Sequence, residues 1–348
     1  MRIFAMNIYF RLVQNTFREC VREPVYFLLL LIGVCMIGIL PTFTMYVFRE
    51  QIKLVVDSAM AITLVLGLIT ATLCASHTIT REMRNGTVLL LLSKPVTRWS
   101  FILAKLTGLM AALTMFTLLL GSAGFSAIMI AKDQFRIDLP VMAAYFLLLA
   151  LCCGAAGVCN YLKGVCFSSY ASIFMTCAVP LFSIAVFLIR GVPDDEGFVA
   201  PSQYIAAVLL LFPAVWIMGA IAAALATRVG VVANLTVCSL LFLLGLISKF
   251  ISRNWAQGTG ADSMFSWLPL EIAEPVANAF KSICGAVARL FLPDWQYFWM
   301  ADALASHTQV PASYVIYAFI YCTLYAGAWS ALAIALFHDR EVAKDAIN

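Results

Sequence analysis

Charged residues divide this sequence into long apolar stretches. Reading from each Asp, Glu, Lys or Arg to the next, the charge-free windows long enough to cross a bilayer are Pro24–Phe48, Ser58–Thr80, Leu106–Ala131, Leu139–Leu162, Gly164–Ile189, Gly197–Thr227, Val229–Ser248 and Ala303–His338. A spanning helix takes about 20 mostly apolar residues. An ionised side chain at mid-membrane costs roughly 2.5–3.5 kcal/mol on insertion scales, so charges collect between the windows. The pattern predicts an all-α polytopic membrane helical bundle of about eight transmembrane helices. The windows Leu139–Leu162 and Gly164–Ile189, joined at Asn160-Tyr161-Leu162-Lys163-Gly164, also admit a second reading, a re-entrant pair that dips in and returns. Either reading preserves the orientation of everything that follows.

Between the windows the periodicity changes. Met6, Phe10, Val13, Phe17 and Val21 recur at helical spacing with Asn7, Arg11, Gln14, Arg18 and Arg22 opposite them, the signature of an amphipathic helix lying at the membrane surface. Val276, Phe280, Ile283, Val287, Leu290 and Phe291 mark a second apolar face, with Glu274, Asn278, Lys281 and Arg289 largely off it. Between the second and third windows, Asn85-Gly86 is a turn signal, Thr87 can cap a short helix over 88–92, Pro95 ends it, and Thr97 caps the next span. The resulting organisation is an interfacial helix over 1–24 and seven spans over 25–248, which include a loop at 77–105. An extracytoplasmic segment with an amphipathic helix follows over 249–312, then a last span and short tail over 313–348. Pro41, Pro180 and Pro213 fall within spans as expected kinks, and Gly219, Ala220, Ala223 and Ala224 form a small-residue face for close helix packing.

Composition excludes a soluble globule. The chain has 348 residues, 63% hydrophobic and 11% charged, where an average soluble domain has roughly 25% charged. Mean hydropathy is +0.96. The basic residues set the orientation. Arg2, Arg11, Arg18, Arg22, Arg81, Arg84, Lys94, Arg98, Lys105, Lys163, Arg228, Arg340 and Lys344 fall on the side of the N-terminus, against Arg49, Lys53, Lys132, Arg136 and Arg190 in the short loops opposite. By the positive-inside rule both termini are cytoplasmic. The expected location is the plasma (inner) membrane, as a multi-pass protein.

Candidate chemistry is sparse. Of the 11 cysteines, only Cys284 is placed in an outside loop, which leaves it no intrachain partner there; the others are expected to be small apolar fillers. His77, His307 and His338 lie in separate loops or span ends, without metal-site spacing. A cation-coupled carrier usually needs ionisable groups within its spans, and the windows have none. There is no carboxylate pair or His-rich box, and no G-x-x-x-x-G-K-[ST] loop to cradle a nucleotide. The chain is therefore not expected to be an enzyme, and any pumping must draw on fuel hydrolysed by another subunit.

The run Glu82, Gly86, Thr87, Leu91, Leu92, Ser93, Pro95, Val96, Arg98 and Lys105 resembles the E-x-x-x-G-T-(x)-x-x-L-L-S-x-P-V-x-R cytoplasmic loop of type-2 ABC transporter permeases. Arg18-Glu19 and Arg22-Glu23-Pro24 look like the helix that leads into that family's first span, and Phe337-His338-Asp339-Arg340-Glu341 looks like its C-terminal end. Leu211 to Ile247, with Thr227-Arg228 between two spans, looks like its paired fourth and fifth helices. The resemblance implies two permease subunits paired in the membrane, as a homo- or heterodimer among lipids, over two cytosolic ABC ATPase subunits. Those subunits would bind ATP and Mg; no cofactor is expected on this chain, and no nucleic acid. It also implies that Glu82, Arg84, Asn85, Gly86, Thr87, Ser93, Lys94, Pro95 and Arg98 form a coupling loop contacting the ATPase, and that the protein works as an exporter. A membrane assembly or scaffold protein of the same fold, acting on a partner protein, is the alternative. The family usually has six spans, so the pair at 139–189 is a departure.

Overall fold

A computed structural model describes residues 2–44, 51–84, 98–131, 137–191, 201–256, 292–300, 303–304 and 310–338. Among these residues the architecture is helical: α1 (Arg2–Arg22), α2 (Pro24–Phe43), α3 (Gln51–Arg84), α4 (Arg98–Ile130), α5 (Leu139–Lys163), α6 (Phe167–Arg190), α7 (Pro201–Ala226), α8 (Val231–Ala256) and α9 (Ala312–His338). Seven of them (α2 to α7, and α9) are long and apolar enough to cross a membrane. The eighth expected span falls on α8, whose apolar stretch Val231–Ile247 is shorter than the rest. The expected all-α bundle is the fold observed.

The described helices are longer than the charge-free windows because a charge at a helix end does not stop a helix. Helix α3 runs on through Arg84 and α4 starts at Arg98, so residues 77–84 and 98–105 of the expected 77–105 loop are helical. Similarly, α8 continues past Ser248 to Ala256. Helices α5 and α6 have 25 and 24 residues, about 37 and 36 Å at 1.5 Å per residue. Each is continuous and exceeds the roughly 30 Å of hydrocarbon, which a half-crossing re-entrant pair would not require. Their junction is tight. Gly164 closes α5 in the left-handed conformation at φ 62°, its N–H bonded to Asn160 O, and Asn160 Nδ2 donates to Val165 O at 2.5 Å. A residue with a Cβ adopts that conformation only with strain.

The described residues group into two units, residues 1–235 with 298–348, and residues 236–297. In the larger unit, α4 and α7 form the buried centre. Leu109, Leu113, Phe116 and Leu120 of α4, and Leu210, Val215, Ile217 and Ile221 of α7, are almost wholly covered. Small residues let these helices approach closely. A Cβ on Gly219 would lie 2.9 Å from Leu113 Cδ1, and one on Gly121 2.6 Å from Val208 Cγ1. The small-residue face at Gly219, Ala220, Ala223 and Ala224 is therefore spent inside the chain. Several buried polar groups bond between helices: Tyr204 Oη donates to Gly121 O (2.8 Å), Tyr145 Oη to Val34 O (3.1 Å), and Asn234 Nδ2 to Ser76 Oγ (2.8 Å) and Ala222 O (3.0 Å).

The α5–α6 pair attaches through one flank. Ser183 Oγ donates to Ser122 O (2.8 Å) and contacts Ser126 Oγ (2.7 Å), fixing α6 to α4. Arg190 pairs with the buried Asp138, tying the last residue of α6 to the residue before α5. The opposite flank presents Leu147, Leu151 and Val158 of α5 and Leu181, Ile184 and Leu188 of α6, all exposed, as a lipid-facing surface requires. In the smaller unit, the Trp295 ring packs on Phe242 of α8 with centroids 5.8 Å apart. It also lies against Gly245, while Gln296 Nε2 donates to Leu246 O (3.3 Å).

Candidate functional site

The expected site sits where α3 ends and α4 begins. Glu82 and Arg84 occupy the last turn of α3, and Arg98 opens α4. Asn85, Gly86, Thr87, Ser93, Lys94 and Pro95 lie outside the described residues, as does the short helix expected over 88–92. The amphipathic helix expected over 276–291 and residues 339–348 also lie outside them. What the structure does describe is the frame that holds the two ends of this segment.

That frame is α1. Its contact with α4 is close enough to need glycine: a Cβ on Gly108 would meet Val13 O and Thr16 Cβ, each at 2.7 Å. Tyr9 Oη and Thr107 Oγ1 share a hydrogen bond at 3.1 Å. Glu19 of α1 reaches Lys105 of α4, Oε2 to Nζ 3.0 Å, while Asn15 Nδ2 donates to the other carboxylate oxygen at 2.8 Å. The Lys105 side chain is only 4% exposed while that of Glu19 is 38% exposed, so a covered cation is met by a carboxylate that keeps one side toward water; a buried charge needs such a partner. The apolar stripe expected on α1 is thus divided. Val21 is buried in the protein, whereas Phe10 is 68% exposed and points away from it.

A second tie runs to α3. Glu23 is the only residue between α1 and α2. It is held extended at φ −63°, ψ 126°, because the following Pro24 disfavours helical geometry in its predecessor. Its carboxylate lies 3.4 Å from Arg81 Nη1 and 4.0 Å from His77 Nδ1. Arg81 is well exposed, so by itself this pair contributes little stability. Its consequence is positional. Deeper in, Tyr26 Oη donates to Ala112 O (3.0 Å) and its ring meets Phe116 edge-on, seating the start of α2 on α4. The thiols of Cys20 on α1 and Cys74 on α3 are both buried.

The arrangement is mechanical. Among the described residues, Glu19 and Glu23 fasten one short stretch of chain to both helices that bracket 85–97. Sequence reading noted Glu19, Glu23 and Lys105 as part of a resemblance but gave them no contacts, and treated His77 as isolated. The available signal was two carboxylates within five residues at the end of α1, with cations Arg81 and Lys105 on the next two helices of the chain that flank the motif. Between α7 and α8, Arg228 Nε donates to Leu336 O (3.1 Å), capping the last turn of α9.

Residues 4–160 match the family model of ABC-2 family transporter protein. The match takes in α1 to α4 and nearly all of α5. No curated protein sequence matches the chain, and no solved structure does.

Proposed function

We propose that this multi-pass membrane protein, whose residues 4–160 match the model of the ABC-2 family transporter protein, is the membrane permease component of an ABC transporter, an exporter subunit worked from the cytosol by a separate ABC ATPase. The observation that supports this most directly is the double fastening of α1, through Glu19–Lys105 and Glu23–Arg81. A push delivered to the 85–97 segment passes into α3 and α4, and from both into α1 and the base of α2. In this reading Glu82, Arg84, Asn85, Gly86, Thr87, Ser93, Lys94, Pro95 and Arg98 receive the push. Their role is electrostatic and steric, and the chemistry of ATP and Mg belongs to the partner. A second permease subunit completes the pathway.

The test is purification from native membrane. An ATPase subunit should accompany the chain in equal amounts, and the complex should show ATP-driven efflux in vesicles. Gly86→Val and Glu82→Lys should each lower the transport obtained per ATP hydrolysed by at least tenfold while leaving membrane insertion intact. Wild-type coupling in both variants would remove the assigned contact. Efflux absent from a complex that still hydrolyses ATP would favour action on a partner protein.

A further inference from the structure

Both carboxylates at the end of α1 are spent on the bundle: Glu19 on Lys105, and Glu23 on Arg81 and His77. The basic residues of the same helix are not answered. Arg11, Arg18 and Arg22 are exposed and hold no ion pair among the described residues. At 100° per residue they fall within about 40° of one another, on the side of α1 away from Thr16 and Cys20, which face the protein. A fourth cation joins them. Ser168 Oγ, in the first turn of α6, donates to Arg22 O (2.9 Å), and Lys163, the last residue of α5 and five positions before Ser168, is likewise exposed and holds no ion pair among the described residues.

Depth identifies what these cations meet. Arg22 is separated from the apolar helix α2 by Glu23 alone, and Lys163 directly follows Leu162 of α5. Both stand at the boundary between hydrocarbon and water. The groups beside them are large and apolar: Phe10 at 68%, Leu162 at 71% and Tyr161 at 89% exposure. An acidic protein surface would leave these side chains in water, whereas a lipid takes the apolar groups and the charges together.

We propose that Arg18, Arg22 and Lys163, with Arg11 at the margin, form a docking site for the headgroup of an anionic phospholipid in the leaflet that carries α1. The phosphate sits over the end of α1, and its acyl chains run down beside α6, along Phe27 and Phe167, whose rings are in edge contact at 5.4 Å.

The full chain, in nanodiscs of phosphatidylglycerol and phosphatidylcholine with matched acyl chains, would be released and its retained lipids counted by native mass spectrometry. Wild type is expected to retain phosphatidylglycerol in excess of the bulk ratio. K163Q should lower that excess by about fivefold, the effect of one basic group near the headgroup plane. R18Q/R22Q/K163Q should return it to the bulk ratio, and the charge-preserving R18K/R22K/K163R should restore it. If the triple Gln variant does not fold in neutral lipid, K163Q alone decides, since it alters one exposed side chain at the end of α5. A bulk ratio in wild type, or an unchanged excess in K163Q, would overturn the site. So would an unchanged excess accompanied by loss of a bound acidic protein, which would assign the cluster to that partner instead. None of these readouts depends on transport or on ATP.

Discussion

A methyl group added at Gly108 meets a backbone carbonyl, Val13 O, at 2.7 Å, and a carbonyl in mid-helix cannot turn aside as a side chain can. Gly108→Val should therefore push α1 off α4 at a cost of about 1–3 kcal/mol, read as a lowered unfolding midpoint in detergent. Gly154 is the control. A Cβ there meets nothing within 4 Å, so Gly154→Val should stay within about 0.5 kcal/mol of wild type. No spacing rule separates these two glycines, since both lie in apolar helical sequence. What distinguishes them is a neighbour 95 positions earlier in the chain, and that neighbour is supplied only by the fold. The same holds for Lys105 and Glu19, whose sequence separation is 86. Their charges were visible in the sequence, and their partnership was not.

Helices were the most legible level, because lipid imposes a rule that residues cannot evade locally: a backbone in hydrocarbon must bond to itself. Charge-free length therefore located seven helices long and apolar enough to cross, left the eighth expected span on the shorter apolar stretch of α8, and missed the helix ends, where water permits either helix or loop. That is why α3 and α4 extend into the residues expected as loop. The α5–α6 pair carries the sharpest expectation at this scale. Cys166 lies exposed in its turn. In sealed vesicles of known orientation, a membrane-impermeant maleimide should label Cys166 from the side that carries the N-terminus, and C166S should abolish that labelling. Labelling from the opposite side would mean that α5 does not cross. The candidate site was legible as a motif at 82–98, while the fastening of its two flanks to α1 needed three helices to be brought together.

For the whole chain, parity is the constraint. Seven described helices have the length and apolarity to cross, and if α8 crosses as well, the total is even and both termini share a side. Epitope tags at the N- and C-termini should then show the same protease protection in oriented vesicles. Opposite protection would mean that α8, with the shorter apolar stretch Val231–Ile247, stays on one surface. The test bears on the proposed function as well, since an odd count would part Arg340 and Lys344 from the cytosolic side on which the ATPase must act.

One residue, Glu23, is all that lies between α1 and the first span, and proline fixes the geometry there. A joint so short has no slack. Tilt imposed on the surface helix cannot be lost in a linker and arrives at α2 as leverage, much as a crank without play turns its shaft. Lengthening that joint by a few flexible residues would leave every helix in place and disconnect the lever.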